Sequence, residues 1–383
     1  MDNTNKFDIV FNCSTNVVGG GIQNSVNFIN HVFMNNGFNL QWYFLLSPQV
    51  FDQVRHLMQE GTFYVAYKSP ASSLMTRREI LKLVKRLMPK LVYTSAGPAY
   101  ISFPVRHILG CSNPYILGAS NYAYKLYGNY VEQFKRRLKT IYQRKEIKKA
   151  DVWIVQTESS EKSLHMIVGA SAPIHVIYNS VSEEFIEYLN TINIDAYEIE
   201  SQDTGKKILV PTAYYKHKDL EKIPHVISLL QKKYGYEVDV IFTVQSQCDY
   251  ESIVAIARKL NVESSFINIG AFQHKDALAI YKQYDVILQP SALEVFSTSY
   301  IEAMATLKPL VVPRFDFSES ICGNYAYYYA SDDINSYADA LYAALEDIDI
   351  ESRCVKAISI VSKYGSQERR VDKIMSLVKE YIA

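Results

Sequence analysis

Short apolar runs rich in β-branched and aromatic residues recur at 7–12, 41–46, 62–66, 90–95, 151–157 and 173–181. They start afresh at 206–211, 237–244, 265–270, 285–289 and 310–312. Their length and composition suit strands buried on both faces. Between them lie segments of helical periodicity. Ile22, Val26, Ile29 and Phe33 share one helical face, and Gly37 is placed to end that helix. Strand and helix in alternation predict right-handed crossovers and parallel sheets. The alternation lapses over polar text at 183–205, which reads as a connection between two domains, and then resumes. The expected class is α/β, in two domains.

Length agrees, since 383 residues exceed one comfortable core. Apolar content of 48% and a net charge of zero describe a globular chain, neither disordered nor built for nucleic acid. Five scattered cysteines without a C-x-x-C pair argue for a reducing compartment and against a disulfide framework or zinc site. The polar start MDNTNK is unlike a signal peptide, and no apolar run reaches spanning length, so a cytoplasmic protein is expected. One segment departs from the neutral average. Residues 124–150 carry nine Lys or Arg against two Glu, with Leu126, Tyr130, Phe134, Leu138 and Ile141 at helical spacing. It reads either as an ordinary charged surface helix or as an interfacial helix drawn to anionic lipid at the inner face of the cell membrane.

Candidate chemistry concentrates in residues 289–312, QPSALEVFSTSYIEAMATLKPLVV. Pro290 and Ser291 stop a strand, a small-residue turn follows, and a helix begins near Ser297 to Ser299. Helix-start amides attract anions, phosphate above all. Glu294 in the loop and Glu302 in the helix are carboxylates able to accept from neighbouring sugar hydroxyls. Amides for phosphate and carboxylates for hydroxyls are what a nucleotide sugar requires. A second anion-receptive turn is Gly19, Gly20 and Gly21, between the first strand and its helix, although its spacing is not that of dinucleotide folds. Lys216 and Lys218, read at the start of a helix after the strand at 206–211, are unfavourable beside its dipole unless a diphosphate sits there. His107 in VRHILG reads as a packing histidine rather than a catalytic one, while Ser112 and Asn113 in the Gly/Pro-rich stretch 95–124 are candidates on the acceptor side.

The text from Pro-Ser through Glu294, Phe-Ser-Thr, Glu-Ala-Met-Ala and Lys-Pro-Leu-Val-Val resembles the donor-site signature of retaining GT-B glycosyltransferases of the family-four type. Val295, Ser297 and Leu307 stand where that signature has glycine. The resemblance implies a GT-B architecture: Rossmann-like domains over 1–190 and 205–365 facing each other across a cleft, with a last helix in 366–383 crossing back to the first. It implies a nucleoside-diphosphate sugar as donor, no cofactor and no metal. Lys218 matches a diphosphate-binding lysine, whereas the family's arginine falls on Thr212 or Ala213, leaving Lys216 as its substitute. Gly20 and Gly21 match a glycine pair near the donor phosphates, and Ala271 and Phe272 lie in the loop that borders the nucleobase. Phe296, Ser297, Thr298 and Ser299 would line the donor, with Glu302 on the ribose and Glu294 on the transferred sugar. Glu319 matches a pocket-shaping glutamate and equally suits a helix start.

The expected function is retaining transfer of a sugar to a glycan or lipid-linked glycan, in O-antigen or capsule synthesis. A GT-B sugar-nucleotide epimerase and a non-catalytic subunit that binds nucleotide sugar are the alternatives. The one D-x-D, Asp347 with Asp349, follows no strand, so charge stabilisation is expected from protein groups.

Overall fold

The computed structural model describes residues 7–192 and 206–382. The connection expected at 183–205 therefore falls largely outside the described residues, apart from the helix Glu183–Thr191. The chain separates into two compact units, one of residues 1–118, 134–179 and 367–383, the other of 119–133 and 180–366. Residues 119–133 thus group with the second unit, in the middle of the stretch read as the first domain.

In the first unit β1 (Ile9–Asn12), β2 (Trp42–Leu46), β3 (Phe63–Val65), β4 (Leu91–Thr94), β5 (Arg106–Gly110), β6 (Val152–Val155) and β7 (Ile174–Val176) make one parallel sheet. Its order is β3-β2-β1-β4-β5-β6-β7. In the second, β8 (Lys206–Val210), β9 (Val238–Phe242), β10 (Phe266–Asn268), β11 (Val286–Leu288), β12 (Leu310–Pro313) and β13 (Tyr327–Tyr329) make another, in the order β10-β9-β8-β11-β12-β13. All its pairs are parallel. Both orders reverse direction beside the unit's first strand, between β1 and β4 and between β8 and β11. Loops leaving such neighbours at the carboxyl edge diverge and open a crevice for ligands.

Burial explains the runs. Every residue of β1, β2 and β4 is buried, as is every residue of β11 and β12. The strand β5 lies inside the Gly/Pro-rich stretch 95–124, where no apolar run predicts it. Gly and Pro on either side masked it, but His107 to Gly110 are buried and pair with β4 and β6, and pairing on both edges satisfies the backbone there. The helix Gln367–Ile382 buries Val371, Ile374, Met375 and Val378 in the core of the first sheet with Phe11, Phe28 and Tyr93. Each such side chain contributes roughly 1.5–3 kcal/mol. Leu307, where the resembled signature has glycine, keeps the left-handed backbone, φ 57, and its side chain is buried. That geometry costs a β-carbon about 1–2 kcal/mol, offset by apolar burial of similar size.

Candidate active site

The site in the second unit is assembled by two neighbouring strands. Val286 and Ile287 of β11 pair with Ile208 and Leu209 of β8, so the loops that follow start side by side. The loop after β8 passes through a 3-10 turn, Lys216–Lys218, and a second, Leu220–Lys222, before the helix Ile223–Tyr234. The lysines therefore lie in a turn ahead of that helix, and the dipole argument made for them does not hold. A backbone bond from Ala292 N to His217 O, 2.8 Å, ties this turn to the loop after β11. Gln289 Nε2 donates to Pro211 O at 2.9 Å, a second tie at the strand ends.

These ties bring Lys218 and Glu294 into a direct ion pair across 76 positions of sequence. Their side chains are 13% and 16% exposed, reachable from solvent but mostly desolvated. Attraction between charges is stronger there than in bulk water. Lys216 goes elsewhere. Its ammonium contacts Glu221 at 3.0 Å and the Tyr214 hydroxyl at 3.1 Å, and it is half exposed. The structure thus joins Lys218 to Glu294 and pairs Lys216 with a different carboxylate.

The helix Thr298–Ala305 starts immediately beyond, with Ser297 at its N-cap and no side chain capping it. Its first-turn N–H groups have no partner within the helix. Thr298 and Ser299 are half-buried, and Ser297 is buried. Phe296 turns inward, its ring edge-on to Tyr364 at 5.1 Å, so its side chain packs the loop instead of lining a ligand site. Tyr300 is fully buried, and burial with the nearby Glu294 charge raises its phenol far above the usual range.

Glu302 differs from Glu294. It is 6% exposed and accepts a 2.7 Å bond from Tyr281, which is itself buried. Burial first, then the Glu302 charge, lifts the Tyr281 phenol well above its ordinary value, so it stays a donor. The expectation that Glu302 is open to ribose hydroxyls is corrected to this extent: one of its acceptor sites is committed to a protein phenol. Nothing in the sequence singles out Tyr281 among 30 tyrosines. Tyr122 and Asp219, which hydrogen-bond next to Lys218, escape a sequence reading as well. Lys222 joins them through the Tyr122 hydroxyl and a 3.1 Å contact with Asp219, which holds 119–133 on the second unit.

The other candidates take simpler places. Ala271 is exposed and Phe272 half-buried, in a loop steadied by Asn268, whose side chain bonds Val244 N at 3.0 Å and Val244 O at 2.9 Å. Glu319 sits in the first turn of the helix Asp316–Cys322 and pairs with Arg314 at 2.7 Å. Asp347 is bound to Arg353 at 2.5 Å, and Asp349 caps the helix Ile350–Tyr364 by accepting from Ser352 N at 2.9 Å. Burial alone would raise the Asp347 carboxyl, but bonds from Tyr327 and Arg353 hold it below its ordinary value. Both D-x-D acids thus have structural partners. Among the described residues no group of three or more His, Cys, Asp or Glu is arranged to hold a metal ion.

The first unit, by itself, carries the glycine turn. Gly19 has φ 66 and precedes the helix Gly20–Met34, which no side chain caps. Gly20 is exposed and Gly21 half-buried. Asn16 secures the turn by donating to Gly21 O at 3.1 Å and to the Ser25 and Ser95 hydroxyls at 2.7 Å each. Beneath it Asn12 donates to Thr94 Oγ1, which lies 2.8 Å from His107 Nε2. His107 is buried in β5, and desolvation drops its pKa to about 3. It packs the core, neutral. Ser112 is half-buried, and Asn113 Oδ1 accepts from Tyr115 N at the start of the helix Pro114–Gly118, a capping role.

Comparison with known proteins agrees with this architecture. Residues 193–359 match the model for glycosyl transferases group 1. A glycosyltransferase from Rickettsia africae has a similar structure, with TM-score 0.69 at 13% identity over 99% of both chains. The sucrose-phosphate synthase of Thermosynechococcus elongatus gives TM-score 0.69 at 12% identity over 97% of this chain and 98% of that one. The UDP-forming α,α-trehalose-phosphate synthase of Burkholderia xenovorans gives 0.63 at 12% identity over 97% and 99%. A search of curated proteins finds no match. The chain thus has the GT-B fold, and its 193–359 stretch, which holds Lys218, Glu294 and Glu302, is similar to the glycosyl transferases group 1 family.

Proposed function

We propose that this protein is a retaining glycosyltransferase that moves a sugar from a nucleoside-diphosphate donor to a glycan or lipid-linked glycan acceptor in surface-polysaccharide synthesis. The observation that carries the reading is the Lys218–Glu294 pair beside an uncapped helix start. An ammonium suited to phosphate oxygens and a carboxylate suited to sugar hydroxyls are held in contact, as the two ends of one nucleotide sugar demand. Lys218 and the amides of Ser297 to Ser299 neutralise charge as the diphosphate leaves, the largest electrostatic contribution expected of such a site. Glu294 orients the transferred sugar. Glu302, held in place by Tyr281, is assigned to the ribose. Fixed protein groups perform the charge stabilisation in this reading, with no metal assigned a role. A structural neighbour described as UDP-forming supports UDP-sugars as the first donors to try.

Glu294→Ala is the test. With a panel of UDP- and GDP-sugars, wild-type protein releases nucleotide and builds product with an acceptor, and a bound donor raises its unfolding temperature by mass action. The variant is expected to lose transfer by at least about a hundredfold while remaining folded. Full activity in that variant rejects the assignment.

A further inference from the structure

The helix Tyr130–Ile147 turns its apolar side outward. Tyr130 is 88% exposed, Phe134 61%, Leu138 50% and Ile141 64%, and Val131 and Tyr142 are exposed beside them. At about 100° per residue these six side chains fall within an arc of about 120°. The opposite side holds the buried Thr140, Gln143, Glu146 and Ile147. A surface helix ordinarily buries its apolar stripe. This one buries polar residues and shows the stripe to solvent.

Its anchoring is specific. The Arg136 guanidinium lies over the Tyr115 ring at 3.5 Å, and Arg144 Nε donates to Ile116 O at 2.9 Å. With those two turned to the protein, Lys135, Arg137, Lys139, Lys145 and Lys148 are exposed. Lys135 borders one edge of the stripe and Arg137 the other, Lys145 falls within its arc in the last turn, and Lys139 lies further round. Arg77 donates to the Tyr142 hydroxyl at 2.8 Å, tying in the start of the helix Leu74–Leu87, where Leu74 and Met75 are also exposed. Apolar side chains at the crest with cations along both edges complement one kind of surface, acyl chains beneath anionic headgroups. Among the described residues no helix is long and apolar enough to cross a membrane, so contact through this helix would be peripheral.

We infer that the outer face of Tyr130–Ile147 is a docking surface for a bilayer rich in anionic lipid, with Phe134, Leu138 and Ile141 entering the headgroup boundary. The inference concerns binding alone and does not depend on the transfer activity.

Co-sedimentation with phosphatidylcholine vesicles, with and without phosphatidylglycerol, tests it. Wild-type protein is expected to pellet with the anionic vesicles and to be released by salt. Phe134→Ser, Leu138→Ser and Ile141→Ser together should lower partitioning at least about tenfold. Lys135→Gln, Arg137→Gln and Lys139→Gln should each lower it about fivefold and weaken its dependence on anionic lipid. Should the triple variant fail to fold, a polarity-sensitive dye on Leu138→Cys in a Cys248→Ser background reports insertion directly, Cys248 being the exposed native thiol. A blue shift with anionic vesicles supports the assignment. Equal partitioning of wild type and apolar variant overturns it, as does equal binding to both vesicle types. A dimer broken by the apolar variant without any lipid effect overturns it too, because the face would then join two copies of the chain.

Discussion

Each unit places a strand–loop–helix junction at the reversal of its sheet, and the two junctions are built oppositely. After β1 the turn is open: Gly19 and Gly20 are exposed, and neutral side chains, Asn16, Ser25 and Ser95, hold it. After β11 the turn is closed: Ser291 to Leu293 and Val295 to Ser297 are buried, and a charged pair from two loops is set at its rim. The first junction can offer a ligand mainly backbone. The second offers charge, held between an ammonium and a carboxylate whose separation is fixed by strand pairing. Close approach needs an absent side chain, whereas charge selection needs side chains locked by their surroundings.

The largest effect that separates the two comes from removing charge at the second junction. Lys218→Met should lower transfer by at least about a hundredfold. By leaving Glu294 without its cation it should also lower unfolding free energy by about 1–3 kcal/mol. Lys218→Met with Glu294→Gln should recover most of that stability in denaturant titrations and none of the transfer. A double variant that recovers both would make the pair structural and erase the contrast.

A smaller effect is expected at the first junction. Gly20 has an ordinary φ, and a β-carbon there meets nothing within 4 Å. Gly20→Ala should therefore leave thermal stability unchanged or raise it by about 0.4–1 kcal/mol. If donor phosphate approaches this backbone, the added methyl costs one charge-assisted bond, raising the donor Kd roughly tenfold or more by calorimetry. An unchanged Kd removes the first junction from donor binding and sharpens the difference from the second.

The smallest effect at working pH concerns His107 beneath the first junction. Its folded pKa, about 3, lies below the unfolded value. Between that ordinary value, near 6.5, and 3 the unfolded chain takes the proton, so stability falls as pH drops through this window and is unaffected above it. The slope from this one group is at most about 1.4 kcal/mol per pH unit. Denaturant unfolding of wild type and His107→Gln at pH 7.5 and pH 5 should show a shallower loss in the variant. A histidine that titrates near neutrality would put charge under the first junction and break the comparison from that side.

Much of this was legible in the chain. Runs such as 7–12 and 285–289 are strands because a mainly apolar segment bounded by polar and turn residues has few other ways to hide from water. The fold class and the helix start at Thr298 could be read from local text and a family resemblance, and the same text singled out Glu294 and Lys218, which the structure places in contact. Less could be read where neighbours decide. β5 looked like loop because its own residues are few, and its partners β4 and β6 make it a strand. Glu302 and Glu294 looked equivalent on paper, and Tyr281 makes them different. The basic helix read equally well as a plain surface, since composition cannot say which side faces inward.

Pattern along the chain determined that strands and helices alternate, that two sheets form and which turn carries carboxylates beside helix-start amides, because secondary structure and burial follow from residue periodicity. Tertiary structure alone decided that Lys218 meets Glu294 while Lys216 meets Glu221, that Glu302 is partly spent on a phenol and that Phe134 faces water. Apart from the local Lys216–Glu221 pair, those outcomes depend on how separate segments pack, which strand register sets and periodicity does not record.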